Sequence, residues 1–396
     1  MNKLFGSARV SARVLFIVLG GGLMVTVIIA LLVQQLPEQR ARQNRSPLAD
    51  FLSSDTQREF AAVTPDYRLR FPEDHGAHPD FRQEWWYFTG NLFGDDQREF
   101  GFQLTFFRFA HASSEHLPPT GWNNDQTWMA HFAVSDLQQK VFYAEEDFAR
   151  GAIDLAGAAS DPFAVWINGW SVSQEPASCQ NCLSARLEAH MEGASIDLVV
   201  RSTRGPVLQG DRGFSVKNQK GDVASYYYSY PDMETSGVVQ IGGRSLAVKG
   251  RTWMDREWSS AVLAKGQSGW DWFALHLDDG RKLMLFQVRD EINGHFRHAV
   301  LIDRKGNKAK IDTTDLELIP TGHWSSPQTG YRYPLKWIIK NNSDNYQLNI
   351  KIQPKIENQE LDLSFQYYEG AVEVEGEIGG KEVAGNGYME LTGYER

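Results

Sequence analysis

The chain has 396 residues, of which 42% are hydrophobic, 23% are charged and 12% are aromatic. This apolar content can form hydrophobic cores, which excludes a disordered or collagen-like chain. The formal net charge is −10 and no basic stripe stands out, so we expect no nucleic-acid partner. Two cysteines are too few for a disulfide-rich scaffold or a thiolate metal centre. The composition predicts an acidic globular protein of roughly two to three domains.

An uncharged stretch of nineteen residues, 15–33, follows Lys3, Arg9 and Arg13 near the N-terminus. As a helix rising about 1.5 Å per residue, it would cross the roughly 30 Å hydrocarbon core of a membrane. The stretch is longer than a typical signal-peptide core, and neither a small-x-small cleavage site nor a lipobox cysteine follows it. We expect an uncleaved transmembrane anchor within residues 1–36. The alternatives are a cleaved signal peptide and a buried soluble helix.

Arginines follow this stretch as well as precede it, so the charges alone do not fix its orientation. A first hydrophobic segment usually acts as an export signal, and long domains translocate largely regardless of flanking charge. We therefore expect a single-pass protein of the inner (cytoplasmic) membrane with its globular body in the periplasm. The polar residues 37–64 are interpreted as a linker between the anchor and the body.

Cys179 and Cys182 form a CQNC motif. An oxidising compartment would favour a disulfide between them. A thioredoxin-like redox site needs a strand–CxxC–helix setting, whereas Asn181 and the nearby serine and proline favour a turn. We expect a local disulfide, with free thiols and a metal or redox site as the alternatives.

A periodicity of two residues dominates the rest of the chain. Residues 99–108, EFGFQLTFFR, alternate apolar side chains with others, as in a strand that buries one face. Comparable runs recur at residues 270–277, 283–288, 337–339, 346–352 and 372–375. Turn signals separate these runs, and no stretch of the body sustains the spacing of an amphipathic helix over four turns. The pattern predicts an all-β fold.

The chain also repeats a strand–turn–strand unit. Residues 85–88 (WWYF) open one hairpin, and residues 270–273 (WDWF) open another, 185 positions later (270 minus 85). The match predicts two β-domains of one architecture, residues 65–240 and 241–396, with chance similarity between Trp-rich strands as the alternative. Closure of each sheet into an antiparallel barrel would hide its edges and leave an interior for a ligand.

Aromatic and carboxylate side chains are concentrated in four segments, residues 78–87, 225–231, 250–272 and 387–394. In the third, strand alternation places Asp255 and Glu257 on one face, about 7 Å apart. In a Trp-rich interior, desolvation and mutual repulsion would raise the pKa of at least one of these carboxyls. Such an acid could donate a proton at neutral pH. The alternative is a structural salt-bridge network with Arg251, Arg256 or Arg289.

Other familiar sites have no support in the sequence. The histidine spacings do not match a metal site, and no HExxH, GxSxG, P-loop or dinucleotide motif occurs. We therefore expect neither a metal ion nor another cofactor. The aromatic residues fit either core packing or a pocket for a long apolar ligand, in which ring faces would stabilise a developing carbocation.

Five motifs resemble the AttH / carotenoid 1,2-hydratase (CrtC-like) family across about residues 65–396. They are HPDFRQEWWYFTGNL, ASYYYSYPDM, GRTWMDREWSS, GWDWFALHLDDGRKLMLFQVR and GYMELTGY. The resemblance implies two packed, lipocalin-like antiparallel β-barrel domains. Members of that family add water to a terminal isoprenoid double bond without a redox cofactor, act as a phytoalexin hydratase or as cyclases, or are labelled predicted secreted hydrolases. In bacterial members of that family, the gene often accompanies one for an ABC-type permease.

The shared WMDREW motif implies candidate roles for its acids and tryptophans, although Arg256 replaces a histidine found in some relatives. The candidate catalytic residues are Asp255 and Glu257. The candidate ligand-binding residues are Trp85, Trp86, Tyr87, Tyr226, Tyr227, Tyr228, Trp253, Trp258, Trp270, Trp272 and Glu390.

We expect an extracytoplasmic, membrane-anchored, lipocalin-like protein that binds a hydrophobic small molecule or lipid in a barrel interior or between the domains. The catalytic hypothesis is a cofactor-free hydratase, a hydro-lyase acting on an isoprenoid-type alkene. The alternative is a non-catalytic, lipid-handling accessory subunit of an ABC-type transporter. A third hypothesis is a structural envelope protein whose pocket is filled by its own side chains.

Overall fold

The computed structural model describes residues 60–111, 125–343 and 346–395. In these ranges the regular structure is antiparallel β-strand, apart from one turn of 3-10 helix at Glu73–His75. The strands form two sheets, of which one is a near-closed barrel and the other a half-barrel. The prediction of an all-β fold built from two antiparallel barrel-like sheets is confirmed.

The predicted membrane anchor, residues 15–33, lies outside the described residues. Within the described ranges, no helix is long and apolar enough to cross a membrane. The predicted linker is described only from residue 60. There Phe60 is buried, and the Ala61 carbonyl accepts a hydrogen bond of 2.6 Å from Ser260. This end of the predicted linker therefore packs against the body.

The first sheet contains thirteen strands. They are β1 (Gln83–Gly94), β2 (Glu99–Ala110), β3 (Gln126–Asp136), β4 (Val141–Arg150), β5 (Ala156–Ser160), β6 (Phe163–Ile167), β7 (Trp170–Gln174), β8 (Ser184–Met191), β9 (Ala194–Ser202), β10 (Val207–Leu208), β11 (Phe214–Val216), β12 (Ala224–Ile241) and β13 (Arg244–Ser259). Their order is β4-β3-β2-β1-β13-β12-β9-β8-β7-β6-β5, and β10 and β11 pair separately with β12. β4 contacts β6, so the barrel is nearly closed.

The second sheet contains ten strands. They are β14 (Gln267–Leu277), β15 (Lys282–Asp290), β16 (Phe296–Ile302), β17 (Lys308–Lys310), β18 (Glu317–Ser325), β19 (Arg332–Asn341), β20 (Leu348–Pro354), β21 (Glu360–Asp362), β22 (Gln366–Ile378) and β23 (Glu382–Leu391). Their order is β17-β16-β15-β14-β23-β22-β20-β19-β18, with β21 paired to β22. All of these pairings are antiparallel.

The chain passes from the first sheet to the second at residues 260–266. The domain boundary was predicted between residues 240 and 241. That position falls at the end of β12, beside the turn of the β12–β13 hairpin, and not between the two sheets. β13 belongs to the first sheet because it pairs with β12 on one side and with β1 on the other. The strand that carries Asp255 and Glu257 is therefore part of the first barrel.

The two hairpins that repeat in the sequence occupy equivalent positions in the two sheets. β1 pairs with β2 in the first sheet, and β14 pairs with β15 in the second. The opening strand of each hairpin also pairs with the last strand of its own sheet, β13 or β23. Each sheet therefore places an aromatic first strand beside an acidic last strand.

Apolar side chains form a core inside each sheet and a third cluster between the sheets. On β2, the side chains opposite the barrel core, such as Gln103 and Thr105, are also buried. The sequence predicted a strand with only one buried face, and this part of the prediction is wrong because the second sheet covers the other face. At Gly101 the sheets approach so closely that an added Cβ would lie 2.7 Å from the Tyr388 hydroxyl oxygen.

The loop between β7 and β8 contains the two cysteines. Cys179 and Cys182 are joined by a disulfide, with their Cα atoms 5.2 Å apart. The Cys182 amide also donates a hydrogen bond of 3.2 Å to the Cys179 carbonyl. The disulfide therefore closes a local turn, as the sequence led us to expect, rather than joining distant strands.

Candidate active site between the two sheets

A cavity of about 110 Å³ lies between the facing surfaces of the two sheets. The wall from the first sheet includes Trp85, Tyr87, Thr105, Phe107, His131, Lys217, Tyr227, Asp255 and Glu257. The wall from the second sheet includes Trp270, Trp272, Phe286, Tyr367, Glu369 and Glu390. Because side chains fill the first barrel, the space for a ligand is between the sheets rather than in that barrel.

Strand register explains how the first wall forms. On β1, Trp85 lies opposite Glu257 of β13, and Tyr87 lies opposite Asp255. On the other side of β1, Tyr87 pairs with Thr105 of β2. Because alternate residues of a strand share a face, this row points at the second sheet while the residues between them point into the barrel.

Asp255 is a buried acid held by three donors. Its Oδ1 accepts hydrogen bonds from Trp253 Nε1, at 2.7 Å, and from Ser229 Oγ, whereas its Oδ2 accepts one from the Tyr227 hydroxyl at 2.6 Å. Burial raises the pKa of Asp255 to about 7, although the three hydrogen bonds act in the opposite direction. Oδ2 accepts only one of these three hydrogen bonds, so it keeps a lone pair that can carry the acidic proton.

Glu257 has a different environment from Asp255. Its Oε1 lies 2.7 Å from Lys217 Nζ and also accepts a hydrogen bond from Ser225. The Lys217 ammonium lies 4.8 Å from the ring centre of Tyr227 and 4.6 Å from that of Phe286. Glu257 is therefore one half of a buried ion pair surrounded by aromatic rings.

The arginines considered from the sequence do not neutralise the two candidate acids. Arg256 pairs with Glu84 on the opposite face of the sheet. Arg289 and Arg251 pair with other carboxylates. The partner of Glu257 is instead Lys217, which the sequence did not single out.

The second sheet contributes two further carboxyls, of which Glu369 is buried and Glu390 is half-buried. Glu369 Oε1 accepts a hydrogen bond from the Tyr87 hydroxyl, and Glu390 Oε1 accepts one of 3.1 Å from Trp270 Nε1. Burial raises the pKa of Glu390 to about 8, and the carboxyls of β13 reinforce the rise. Burial and the nearby Glu390 raise the pKa of Glu369 well above its usual range. Both groups therefore hold a proton in neutral solution.

The predicted ligand-binding residues separate into three groups. Those that line the cavity are Trp85, Tyr87, Tyr227, Trp270, Trp272 and Glu390. Trp253 belongs to the cluster between the sheets and donates to Asp255. Those that face the core of the first barrel, away from the cavity, are Trp86, Tyr226, Tyr228 and Trp258. These four were predicted together with cavity residues because they lie near them in the sequence. Neighbouring residues of a strand, however, point to opposite faces of the sheet.

Five polar residues of the cavity were not predicted, namely Thr105, His131, Lys217, Tyr367 and Glu369. The available signal for Tyr367 and Glu369 was alternation within residues 366–370 (QYYEG), a strand of the second sheet. Lys217 lies just beyond β11 and His131 on β3, so only long-range packing brings them to the acids. In the described ranges, no three His, Cys, Asp or Glu side chains are grouped as a metal site.

The fold and cavity define a protein of two lipocalin-like sheets that bury acidic groups at their interface. The family model described as AttH-like matches residues 62–394, and the chain belongs to this family. The resemblance inferred from the sequence motifs is thereby confirmed.

Three similar proteins show how far the likeness extends. An AttH from Nitrosomonas europaea, whose crystal structure is known, is 34% identical, with a TM-score of 0.75 over 85% of this chain and 100% of that chain. Kievitone hydratase from Fusarium solani subsp. phaseoli is 23% identical over 223 residues, which span 54% of this chain and 61% of that protein. The crystal structure of kievitone hydratase from Nectria haematococca shares the fold, with 17% identity and a TM-score of 0.64 over 86% of this chain and 96% of that chain.

Proposed function

We propose that this protein is a cofactor-free hydratase that adds water to an isoprenoid-type alkene in the cavity between its sheets. The observation that carries the proposal is a buried acid, Asp255, whose pKa is raised to about 7, beside an ion-paired carboxylate, Glu257, within aromatic walls. Similarity to kievitone hydratase supports the reaction class.

Asp255 acts as the general acid in this mechanism. The proton on Oδ2 moves to the less substituted alkene carbon, and the π electrons form the new C–H bond. The other alkene carbon becomes a tertiary carbocation. The ring faces of Trp85, Trp270 and Trp272 stabilise this cation electrostatically.

Glu257 acts as the general base. A water oxygen attacks the carbocation, and the Glu257 carboxylate accepts the proton that the water releases. The product is a tertiary alcohol, and the net change is the addition of one water to one alkene. Return of that proton to Asp255 through solvent restores both groups. Lys217 keeps Glu257 oriented and compensates its negative charge between turnovers.

The test is incorporation of labelled oxygen. The full-length protein, in detergent, is incubated with farnesol in oxygen-18 water, and the products are analysed by mass spectrometry. Wild type should form an alcohol that carries the label. Asp255→Asn and Glu257→Gln should each reduce the rate at least about 100-fold, the usual contribution of general acid–base catalysis.

Asp211→Asn is the matched control because the Asp211 side chain is 73% exposed and lies outside the cavity. It should retain the wild-type rate. Full activity in both the Asp255 and Glu257 variants would refute the mechanism. Tight binding without any labelled product, in wild type as in the variants, would favour the alternative of a lipid-handling partner of an ABC-type transporter.

The location of the reaction is a separate proposal. The uncharged residues 15–33 support anchoring in the inner membrane with the body in the periplasm. Protease added to spheroplasts should then degrade the body without breaking the cells. Protection of the body until the membrane is lysed would contradict this orientation.

A further inference from the structure

His131 lines the cavity and has a polar ring atom without a hydrogen-bond partner among the described residues. Its side chain is buried, and its Nδ1 lies 2.7 Å from the Tyr367 hydroxyl. Among the described residues, Nε2 has no hydrogen-bond partner. The closest approach of Glu146 to Nε2 is 3.8 Å, which is beyond hydrogen-bonding distance.

Glu369 presents a second such atom from the opposite wall. Its Oε1 accepts the hydrogen bond from Tyr87, but Oε2 is buried and has no partner in the described part of the chain. Leaving a buried polar atom without a hydrogen-bond partner is energetically costly. Two such atoms in one cavity therefore indicate a bound group that pairs with them.

The hydrogen-bond network assigns the proton positions. Burial raises the pKa of Tyr367 well above its usual range, so its hydroxyl is protonated and donates to His131 Nδ1. Burial also lowers the pKa of His131 to about 3, so the ring is neutral and carries its hydrogen on Nε2. Glu369 is protonated, and its free oxygen Oε2 can carry the proton. Both unpaired atoms are then donors, and their partner must be an acceptor.

Charge narrows the identity of that acceptor. Lys217 is the only lysine or arginine among the cavity-lining residues in the described ranges, and it is already paired with Glu257. A phosphate or carboxylate would therefore be buried among aromatic side chains with no free cation to balance its charge. Burying an uncharged oxygen that accepts both hydrogen bonds costs far less.

We propose that His131 and Glu369 bind the oxygen of an uncharged hydroxyl or carbonyl group, so that the substrate is an oxygenated isoprenoid rather than a hydrocarbon. This inference rests on the proposed function and specifies its substrate class. β3, which carries His131, is three strands from β13, which carries Asp255, a separation of about 14 Å. That distance suits an oxygen and a reacting double bond about three isoprene units apart.

The experiment compares farnesol with the hydrocarbon that has hydrogen in place of its hydroxyl group. Binding to the full-length protein is measured by quenching of tryptophan fluorescence, because Trp85, Trp270 and Trp272 line the cavity. Wild type should bind farnesol at least about tenfold more tightly, since a site built around a hydroxyl rejects the analogue that lacks it. His131→Phe should remove this preference, and His131→Gln, which keeps a donor, should retain part of it.

Each outcome bears on one proposal separately. Equal affinity of wild type for the two ligands, or binding of neither, would overturn the inference about the oxygen. A preference that persists in His131→Phe would also overturn the role of His131. A farnesol preference without labelled alcohol would leave this binding site intact and refute the hydratase. Hydration of both ligands at equal rates would support the hydratase and refute the oxygen site.

Discussion

At the scale of single residues, the two acids of β13 differ because their partners differ. Asp255 meets only neutral donors, so burial governs its protonation. Glu257 lies 2.7 Å from the Lys217 ammonium. The same carboxyl chemistry, two positions apart, can therefore supply an acid and a base.

Replacing Tyr227 with phenylalanine should move the pH dependence of hydration. Burial raises the pKa of Asp255 to about 7 even though the hydrogen bond from Tyr227 acts to lower it. Wild-type activity should fall as the pH rises through about 7, because the acid loses its proton. In Tyr227→Phe the pKa should rise, and the fall should occur about one pH unit higher. An unchanged profile, measured as rate against pH, would argue against Asp255 as the acid.

Glu390→Gln should stabilise the fold increasingly as the pH rises. The folded pKa of Glu390, about 8, lies above its ordinary value of 4.5, so the folded state holds the proton more tightly. Wild type therefore loses stability between pH 4.5 and 8, by up to about 5 kcal/mol at about 1.36 kcal/mol per pH unit, whereas the glutamine does not titrate. Urea unfolding at both ends of this range measures the difference. A difference between the two proteins that does not change with pH would contradict a raised pKa of Glu390 in the folded state.

At the scale of one element, β13 performs separate tasks on its two faces. Asp255 and Glu257 face the cavity, whereas Arg256 is fully buried on the other face. Arg256 donates to Glu84 and also to the Gly76 carbonyl, at 2.6 Å, in the segment that precedes β1. It therefore joins the barrel to the N-terminal part of the body.

Arg256→Met should destabilise the protein by about 1–3 kcal/mol, because it removes one of the two arginines paired with Glu84 and leaves the buried Gly76 carbonyl without this donor. Lys249→Met is the control, since Lys249 is exposed on the same strand. Urea denaturation followed by tryptophan fluorescence gives both values. A loss in Arg256→Met no larger than in Lys249→Met would show that the pair contributes nothing to stability.

At the scale of the whole molecule, the site exists only because the two sheets meet. Tyr87 of the first sheet donates to Glu369 of the second, and His131 likewise contacts Tyr367. Neither sheet alone supplies both walls of the cavity. The spacing between the sheets should therefore control ligand binding.

Gly101→Ala tests this spacing. The added methyl would lie 2.7 Å from the Tyr388 hydroxyl oxygen and 2.9 Å from Ala371 Cβ, so the sheets would have to separate. We expect a loss of about 1–3 kcal/mol of stability and weaker farnesol binding. Gly205→Ala is the control, because the added Cβ there meets only Asn181 atoms, at 3.7 Å or more. Identical melting temperatures and affinities for the two variants would contradict close packing at Gly101.

The order of side chains along the chain was enough to predict the all-β fold, the two equivalent hairpins and the common face of Asp255 and Glu257. These features follow from strand alternation, a local property that side-chain order alone can specify. Only the tertiary structure decided that Lys217 pairs with Glu257, and that Trp86 and Trp258 face a barrel core rather than the cavity. The physical reason is that these outcomes depend on which face the second sheet covers. That contact joins residues far apart in the chain, and no local pattern encodes it.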